Sequence, residues 1–286
     1  MSDLLQPPRV VVVDAVERAL AEDLTPLGDL TSALRPQDLV ATARFVARSN
    51  GVIAGRLCAA ETFAQVDPSV VLEWSVTDGD TVSPGSVIAT ATGCLASILT
   101  AERTALNFLG HLSGIATRTS DYVAEAAKGG SAYVWDTRKT TPGLRVLEKA
   151  AVRAGGGRNH RGNLSDWILL KDNHIALFGI ADAVARSRSM WPARTVHVEC
   201  DTIEQVQEAL AAGADALLLD NMTTDKIREC VAVASASHRR PLLEASGGIT
   251  LETIASYSAA GVDCISVGGL TNSAPVLDIG LDIDPA

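Results

Sequence analysis

The chain has 286 residues, of which 47% are hydrophobic, and it carries a formal net charge of -10 at pH 7. A chain of this size buries roughly three quarters of its unfolded surface, which predicts one large domain or two modest ones. The negative charge disfavours partners such as nucleic acid or an anionic membrane. Its apolar stretches fall short of the roughly 20 residues of a membrane span, and residues 1–9 lack a signal-peptide pattern, so we expect a cytoplasmic protein.

The first hundred residues predict a helix followed by short strands. The helix is expected over residues 10–21, and the segments after it are punctuated by Pro and Gly. The apolar run at 72–76 and the turn-rich stretch at 78–85 are typical of antiparallel strands with tight turns. A second helix, at about 99–112, has leucines at helical spacing and links the two halves of the chain, so we place the domain boundary near its end.

The second half alternates short apolar runs with amphipathic segments. The segment from Thr202 to Ala212 has a capping box formed by Thr202 and Gln205 and stops at Gly213, and residues 250–260 predict a similar helix. Repeated strand-helix units imply a parallel sheet, most simply an α/β barrel. In barrels the functional residues lie at the carboxyl ends of the strands.

Almost every apolar run ends in polar residues with useful chemistry. The residues at these run ends are Asp136, Thr137, Arg138, Lys139, Lys171, Glu199, Asp220, Glu244, Ser246, Gly247, Gly248, Gly268 and Gly269. Backbone without side chains at the Gly pairs can point N–H groups at a phosphate. Glu199 and Asp220 could accept from ribose hydroxyls, hold Mg²⁺ through water or stabilise a developing positive charge, or they could pair with Lys171 or Arg161.

Residues 138–171 concentrate positive charge, with eight basic and two acidic side chains in a protein that is negative as a whole. These basic residues lie among glycines and do not follow an amphipathic helical pattern, which favours an anion site over a solvated basic face. The planar guanidinium groups of Arg138, Arg161 and the more distant Arg103 can each grip a carboxylate or phosphate through two N–H groups. The ammonium groups of Lys139 and Lys171 act as compact point charges. His160 could carry a proton or donate to an anion, whereas the other four histidines are interpreted as structural or exposed. For Arg145, Lys149 and Arg153, ligand contacts and surface ion pairs remain equally open.

Five scattered cysteines never form a CxxC pattern, which argues against a disulfide framework and a zinc site. We interpret them as small core residues.

Taken together, the motifs resemble those of the quinolinate phosphoribosyltransferase family. In chain order they are AEDLTPLGDLTS (21–32), TAERTALNFLGHLSGIAT (100–117), DTRKTTPGLR (136–145), GGGRNHR (155–161), KDNH (171–174), VECD (198–201), LLLDNM (217–222), EASGGI (244–249) and ISVGGLT (265–271). One departure from the pattern is Asn272, where similar sequences often have His.

The resemblance implies an α/β fold: an N-terminal α/β sandwich over 1–113, joined by 273–286, and a parallel α/β barrel over 114–272 that is open or has fewer than eight strands. It also implies a homodimer that binds quinolinate and phosphoribosyl pyrophosphate, with Mg²⁺ carried by the pyrophosphate.

The resemblance further assigns residues to each substrate. Those matched to quinolinate are Arg103, lent across the dimer interface, Thr137, Arg138, Lys139, His160, Arg161 and Lys171. Those matched to phosphoribosyl pyrophosphate are Lys139, Lys171, Glu199, Asp220, Ser246, Gly247, Gly248, Gly268 and Gly269. Lys139, Glu199 and Asp220 are the expected catalytic residues.

Three alternatives remain from sequence. A related phosphoribosyltransferase could keep the fold and take another substrate. A Schiff-base aldolase or lyase could use Lys139 or Lys171 as its nucleophile. A non-catalytic anion-binding protein would not need Glu199 and Asp220 among the cations.

Overall fold

The computed structural model describes residues 6–34 and 39–283, and its contacts divide the chain into two units. The first unit comprises the chain up to Ser120, Thr140–Gly156 and the chain from Gly269 onward. The second comprises Asp121–Lys139 and Gly157–Gly268. Helix α3, Leu95–Gly129, contributes residues to both.

The first unit contains an antiparallel sheet with helices. Its sheet has the order β12-β1-β5-β3, and a two-stranded sheet pairs β2 with β4. The elements are α1 (Arg9–Leu24), a short 3-10 helix (Ser32–Leu34), β1 (Val40–Ala47), β2 (Gly51–Val52), α2 (Arg56–Val66), β3 (Val71–Trp74), β4 (Thr81–Val82), β5 (Val87–Cys94), most of α3, α4 (Arg145–Ala154), α10 (Gly269–Asn272) and β12 (Ile279–Ile283).

The core of this unit lies between the sheet and helices α2 and α3. Phe45 of β1 and Phe63 of α2 meet edge to face, with ring centroids 5.9 Å apart, and both are buried. Ile88, Ile98 and Leu109 belong to the same buried cluster. The predicted antiparallel strands are confirmed, because alternating apolar residues in β1 and β5 supply one buried face.

The second unit contains a six-stranded parallel sheet of order β6-β11-β10-β9-β8-β7. Its elements are β6 (Tyr133–Trp135), β7 (Ile168–Leu170), α5 (Asp172–Ile175), α6 (Gly179–Met190), β8 (Val196–Cys200), α7 (Ile203–Ala211), β9 (Ala216–Asp220), α8 (Thr224–Ser235), β10 (Leu242–Ser246), α9 (Ile254–Ser258) and β11 (Cys264–Ser266). The capping box predicted at Thr202 is present at the start of α7.

The two edges of this parallel sheet approach each other. Trp135 ends the edge strand β6 and Trp167 precedes the edge strand β7, and their ring centroids are 6.4 Å apart. A parallel bridge between Trp135 and Arg158 extends the β6 edge. The sheet is therefore an incompletely closed barrel with fewer than eight strands, as the sequence predicts.

Two helices differ in length from their predictions. The helix expected at 99–112 runs over Leu95–Gly129, because Gly110 and Gly114 do not end it. A Cβ at Gly114 would lie 2.0 Å from the Pro275 carbonyl oxygen, so this glycine permits close approach of another segment. The helix expected at 250–260 is reduced to Ile254–Ser258, since Thr253 Oγ1 accepts from Thr250 N at 3.0 Å and competes with helical hydrogen bonding.

The contact-based units also differ from the predicted division into 1–113 with 273–286 and 114–272. Thr140–Gly156 belongs to the first unit, although the sequence groups it with the barrel. Strand β12 pairs with β1 and so places the end of the described chain in the first unit. The domain division itself stays a prediction, and residues 1–5, 35–38 and 284–286 within it lie outside the described residues.

Candidate active site

The site predicted from sequence lies mainly at one edge of the parallel sheet. Because all six strands run in the same direction, the side chains at their carboxyl ends share this edge. The second unit supplies Thr137, Arg138, Lys139, His160, Arg161, Lys171, Glu199, Asp220, Ser246, Gly247, Gly248 and Gly268. Arg103 and Gly269 belong to the first unit, where Arg103 projects from α3 with 67% of its side chain exposed.

Register places Lys171 beside Glu199. Leu170 of β7 pairs with Val198 of β8, so the next residues on each strand stand level. The Lys171 ammonium forms an ion pair with Glu199 Oε2, and its side chain is 46% exposed whereas that of Glu199 is 9% exposed. The pair leaves the lysine accessible to a ligand while its partner is largely withdrawn from water.

Opposing effects act on the Glu199 carboxyl. Burial raises the pKa of Glu199, and the negative charges of Asp220 and Asp172 raise it further. The hydrogen bond and charge of Lys171 lower this pKa but do not outweigh burial. Glu199 and Asp220 therefore form a pair of neighbouring carboxylates whose charge depends on nearby cations.

We expect two substitutions to move the titration of Glu199 in opposite directions. Asp220→Asn removes a negative neighbour, so Glu199 should lose its proton at a lower pH. Lys171→Met removes the neighbouring cation, so Glu199 should lose its proton at a higher pH. Carboxyl ¹³C resonances of the glutamate-labelled protein, assigned with Glu199→Gln, would measure both shifts. Movement in the same direction would contradict this account of the site.

Arg161 and Arg138 bring two positive charges together in a partly buried place. Only 8% of Arg161 is exposed, and its Nη1 donates to the Trp167 carbonyl oxygen at 3.4 Å. Burial, followed by the charge of Arg138, lowers the pKa of the Arg161 guanidinium. An anion between the two side chains would relieve both effects, so the arrangement favours a carboxylate or phosphate ligand.

The turn after β6 holds Lys139 against a glycine. Lys139 N donates to Thr137 Oγ1 at 3.0 Å, which fixes the turn locally. A Cβ at Gly268 would lie 2.8 Å from Lys139 Cδ and 3.6 Å from Thr137 Oγ1. Gly268 is therefore required for close approach of the Lys139 side chain, in addition to any role toward phosphate.

The turn after β10 depends on Asn221, which sequence reasoning did not single out. Gly247 has φ of +95°, and a Cβ there would lie 2.2 Å from Asn221 Oδ1. Asn221 N donates to the Ser246 carbonyl oxygen at 2.9 Å, and its Nδ2 donates to Asp220 Oδ2 at 2.5 Å. Asn221 thus links the Asp220 carboxylate to the glycine turn. The signal was its position directly after a strand-end acid.

His160 is held by two buried carboxylates. Its main-chain N donates to Asp136 Oδ1 at 2.8 Å, and its Nε2 lies 3.3 Å from Glu244 Oε2. His197 Nε2 lies 3.6 Å from the same oxygen, and burial lowers the pKa of His197 to about 4. Burial alone would raise the pKa of Glu244, but hydrogen bonding from His160 and charge interactions outweigh it and lower the pKa. Sequence reasoning placed Glu244 at the end of an apolar run but gave it no role, and His197, interpreted from sequence as structural or exposed, is buried.

Two groups in the described residues have donor atoms suited to cations. Glu199 and Asp220 offer oxygen ligands at the sheet edge, which is the chemistry that Mg²⁺ prefers. His160, His197 and Glu244 offer atoms that lie within 4.8 Å of one another. We interpret this second group as an ion-paired network, because Glu244 Oε2 lies 3.3 Å from His160 Nε2 and 3.6 Å from His197 Nε2.

Some of the basic residues between 138 and 171 lie on a helix away from the sheet edge. This corrects the expectation that these basic residues do not follow a helical pattern. Arg145, Lys149 and Arg153 recur every four residues on α4, in the first unit. Lys149 is buried, and Arg145 Nε donates to Thr140 Oγ1 at 3.0 Å. In the second unit the guanidinium of Arg158 lies over the Tyr133 ring, 3.2 Å from its centroid. The total charge of residues 138–171 therefore overstates the charge at the sheet edge.

Among the described residues, no helix combines the length and the apolar character that crossing a membrane requires.

Two sequence profiles together cover most of the chain. Residues 29–113 match the quinolinate phosphoribosyl transferase N-terminal domain, and residues 115–282 match the C-terminal domain. The nicotinate-nucleotide pyrophosphorylase [carboxylating] of Mycobacterium leprae is 44% identical over 277 residues, which cover 94% of this chain and 96% of that protein. The probable nicotinate-nucleotide pyrophosphorylase [carboxylating] of Bacillus subtilis is 43% identical over 258 residues, covering 90% and 88%.

Solved structures agree with these matches. The nicotinate-nucleotide pyrophosphorylase from Francisella tularensis superposes with a TM-score of 0.92 at 36% identity, covering 98% of both chains. The corresponding protein from Ehrlichia chaffeensis gives a TM-score of 0.90 at 37% identity, covering 95% of this chain and 98% of that one. With its strand-end charges, its two-unit architecture and relatives of this similarity along nearly its whole length, the chain belongs to the quinolinate phosphoribosyltransferase family.

Proposed function

We propose that this chain transfers the phosphoribosyl group of phosphoribosyl pyrophosphate to the ring nitrogen of quinolinate, with loss of pyrophosphate and CO₂, to give nicotinate mononucleotide for NAD biosynthesis. The observation that carries this proposal is the combination of cations with two neighbouring carboxylates at one edge of the sheet, in a chain of this family. Two anionic substrates need the cations, and a developing positive charge needs the carboxylates.

The arginines suit the two carboxylates of quinolinate. Arg138 and Arg161 are adjacent in the fold and can each bind a carboxylate through two parallel N–H groups. Thr137 and His160 add hydrogen-bond donors, while Lys139 and Lys171 add compact charges. Each charge-assisted hydrogen bond contributes about 1.5 to 3 kcal/mol. Several together would hold a dianion against the cost of removing it from water.

The other side of the site suits phosphoribosyl pyrophosphate. Lys139 and Lys171 can neutralise phosphate charge, and the backbone at Ser246, Gly247, Gly248, Gly268 and Gly269 can donate N–H groups to phosphate oxygens. We assign Glu199 and Asp220 to the ribose hydroxyls and the anomeric carbon, between the two substrates.

Mg²⁺ suits the same carboxylates. Glu199 and Asp220 offer hard oxygen atoms, and Mg²⁺ commonly keeps water ligands and binds through one or two carboxylates and substrate phosphates. When bound, Mg²⁺ neutralises charge on the departing pyrophosphate. We propose that these two residues hold it through water.

The residues then act in two stages. As the pyridine nitrogen attacks and pyrophosphate leaves, the ribose gains oxocarbenium character, which the Glu199 and Asp220 carboxylates stabilise electrostatically. Lys139, between the two anions, holds the reacting atoms together. The alkylated ring nitrogen is cationic, so it stabilises the electron pair that stays on ring carbon 2 when the bond to the carboxylate breaks and CO₂ departs. The carbon left behind takes up a proton to complete nicotinate mononucleotide.

The test is to incubate the protein with quinolinate, phosphoribosyl pyrophosphate and Mg²⁺ and to measure CO₂ and nicotinate mononucleotide. Nicotinate replaces quinolinate in the control, since it lacks the 2-carboxylate. We expect stoichiometric CO₂ and mononucleotide only with quinolinate. Equal product from nicotinate, or no product from quinolinate, would favour a relative with another substrate.

A Schiff-base lyase is disfavoured by the ion pair at Lys171. A Schiff base needs an amine that can attack a carbonyl carbon, whereas the Lys171 Nζ is held in an ion pair with Glu199. Borohydride reduction with a carbonyl substrate should therefore leave no adduct on Lys171.

We further propose a homodimer in which Arg103 of each subunit reaches the site of the other. Support comes from the exposure of Arg103 on α3 and from the family to which the chain belongs.

Gly268→Ala should impair turnover more than folding. The new Cβ would displace the Lys139 side chain, and a misplacement of about 1 Å can lower kcat/KM by about 10- to 100-fold. The melting temperature should change little, because a flexible side chain can move. Gly162→Ala is the matched control, since its Cβ would meet only Asp166 Oδ2 at 3.5 Å. Equal kcat/KM in the two variants would contradict the steric argument.

A further inference from the structure

Glu244 lies on β10 in the interior of the barrel. Its side chain is buried there and cannot contact a ligand at the sheet edge directly. It is fully buried, yet it is charged, which is costly unless other groups compensate. Its Oε2 lies 3.3 Å from His160 Nε2 and 3.6 Å from His197 Nε2. A buried carboxylate therefore faces two imidazole rings at a position where apolar side chains usually fill the interior of a barrel.

The ring of His160 is restrained on several sides. Its main chain is bound to Asp136, and its ring lies 5.7 Å from that of Trp135 and 4.8 Å from that of Trp167, between centroids. The Glu244 contact then selects which ring nitrogen points inward. With Nε2 directed at Glu244, Nδ1 is directed away from it.

Charged and titratable groups from several elements surround His160. They are Glu244 from β10, His197 from β8, Asp136 after β6 and the adjacent Arg161. The Glu244 carboxylate lies 3.3 Å from ring Nε2, whereas Asp136 contacts the main-chain N of His160.

We propose that Glu244 is a positioning residue for quinolinate binding: its contact with Nε2 orients the ring of His160, so that Nδ1 can donate a hydrogen bond to a substrate carboxylate. This inference rests on the proposed function. Glu244 contacts no substrate, and its effect passes through His160. Quinolinate recognition therefore extends from the sheet edge to a buried carboxylate one layer below.

Glu244→Gln tests the proposal, because it keeps the shape and removes the charge. We expect the KM for quinolinate to rise by about 10- to 100-fold while the KM for phosphoribosyl pyrophosphate stays within about twofold. Asp215→Asn is the matched control: Asp215 is a mostly buried acid that precedes β9 and pairs with Arg188 and Arg239. It should leave both KM values unchanged.

A double-mutant cycle with His160→Asn separates positioning from a general structural effect. If Glu244 acts through His160, Glu244→Gln should have almost no further effect on the quinolinate KM in the His160→Asn background. The same fold-change in both backgrounds, or an unchanged KM in folded Glu244→Gln, would overturn the proposal. Inactivity of the parent enzyme on quinolinate would instead overturn the proposed function.

The parent protein provides a second measurement in case Glu244→Gln does not fold. Its five histidines can be labelled with ¹⁵N in the ring, and His160 can be assigned by its loss in His160→Asn. We expect added quinolinate to change the Nδ1 resonance of His160 and to leave the Nε2 resonance, which belongs to the atom facing Glu244, nearly unchanged. An unchanged Nδ1 resonance in the presence of bound quinolinate would overturn the inference.

Discussion

Replacing Arg161 with alanine is expected to lower kcat/KM for quinolinate by about 100- to 1,000-fold. This is the usual effect of removing one well-placed hydrogen-bond donor that faces a negative charge in an active site. Arg161 is 8% exposed and lies beside Arg138, so a carboxylate between them would meet two desolvated guanidinium groups. Such bonds are stronger than those at an exposed surface. The loss should appear mainly in the KM for quinolinate.

The same substitution should cost little stability. Burial and the charge of Arg138 lower the pKa of Arg161, which means that its positive charge is unfavourable in the folded protein without a ligand. Removing the charge offsets the packing that is lost, so we expect the melting temperature to fall by less than about 3 °C. Steady-state kinetics and thermal unfolding measured on the same preparation would check both parts.

Arg158→Ala is the matched control for Arg161→Ala. Arg158 lies three positions earlier in the same segment, but its guanidinium stacks on the Tyr133 ring. We expect its kcat/KM to stay within about threefold of the parent value, because only a cation–π contact of about 0.5 to 1 kcal/mol is lost. Equal losses in the two variants would show that the segment, and not the Arg161 fork, determines activity.

Mixing Arg103→Ala with Lys139→Ala is expected to restore about a quarter of the parental activity, although each variant alone is nearly inactive. Arg103 is proposed to serve the partner's site, whereas Lys139 serves its own. Half of randomly exchanged dimers are then hybrids, and one of their two sites has both residues intact. Activity measured after subunit exchange, against unmixed samples, gives the result directly.

Lys139→Ala mixed with Arg161→Ala is the control for this experiment. Both residues serve the site of their own subunit, so every site in a hybrid lacks one of them and no activity should return. Recovery in this control, or none in the first mixture, would rule out a site completed by Arg103 of the neighbouring subunit.

Basic residues that are close together in the sequence do not all lie together in the fold. Eight basic residues between 138 and 171 suggest one anion site, but Arg145, Lys149 and Arg153 lie on α4 in the other unit. The residues with side chains at the sheet edge are those that directly follow strands or the Arg158 bridge. Position relative to a strand end therefore predicted which side chains lie at the sheet edge better than proximity in sequence did.

Features that depend on neighbouring residues could be predicted from the amino-acid sequence alone. Alternating strand and helix patterns predicted the parallel sheet, and Thr202 with Gln205 predicted the start of α7. Strand ends in a parallel sheet share an edge whatever the details of packing, so Lys171, Glu199 and Asp220 could be grouped before any coordinates were known.

The contacts that join distant strands could not be predicted in this way and became visible in the fold. Strand register sets Lys171 level with Glu199, close packing gives Gly268 its role beside Lys139, and the barrel interior brings Glu244 to His160. These contacts span 28 to 129 positions in the chain. Local propensity carries no information about such pairs, because register and burial are settled by the packing of the whole sheet.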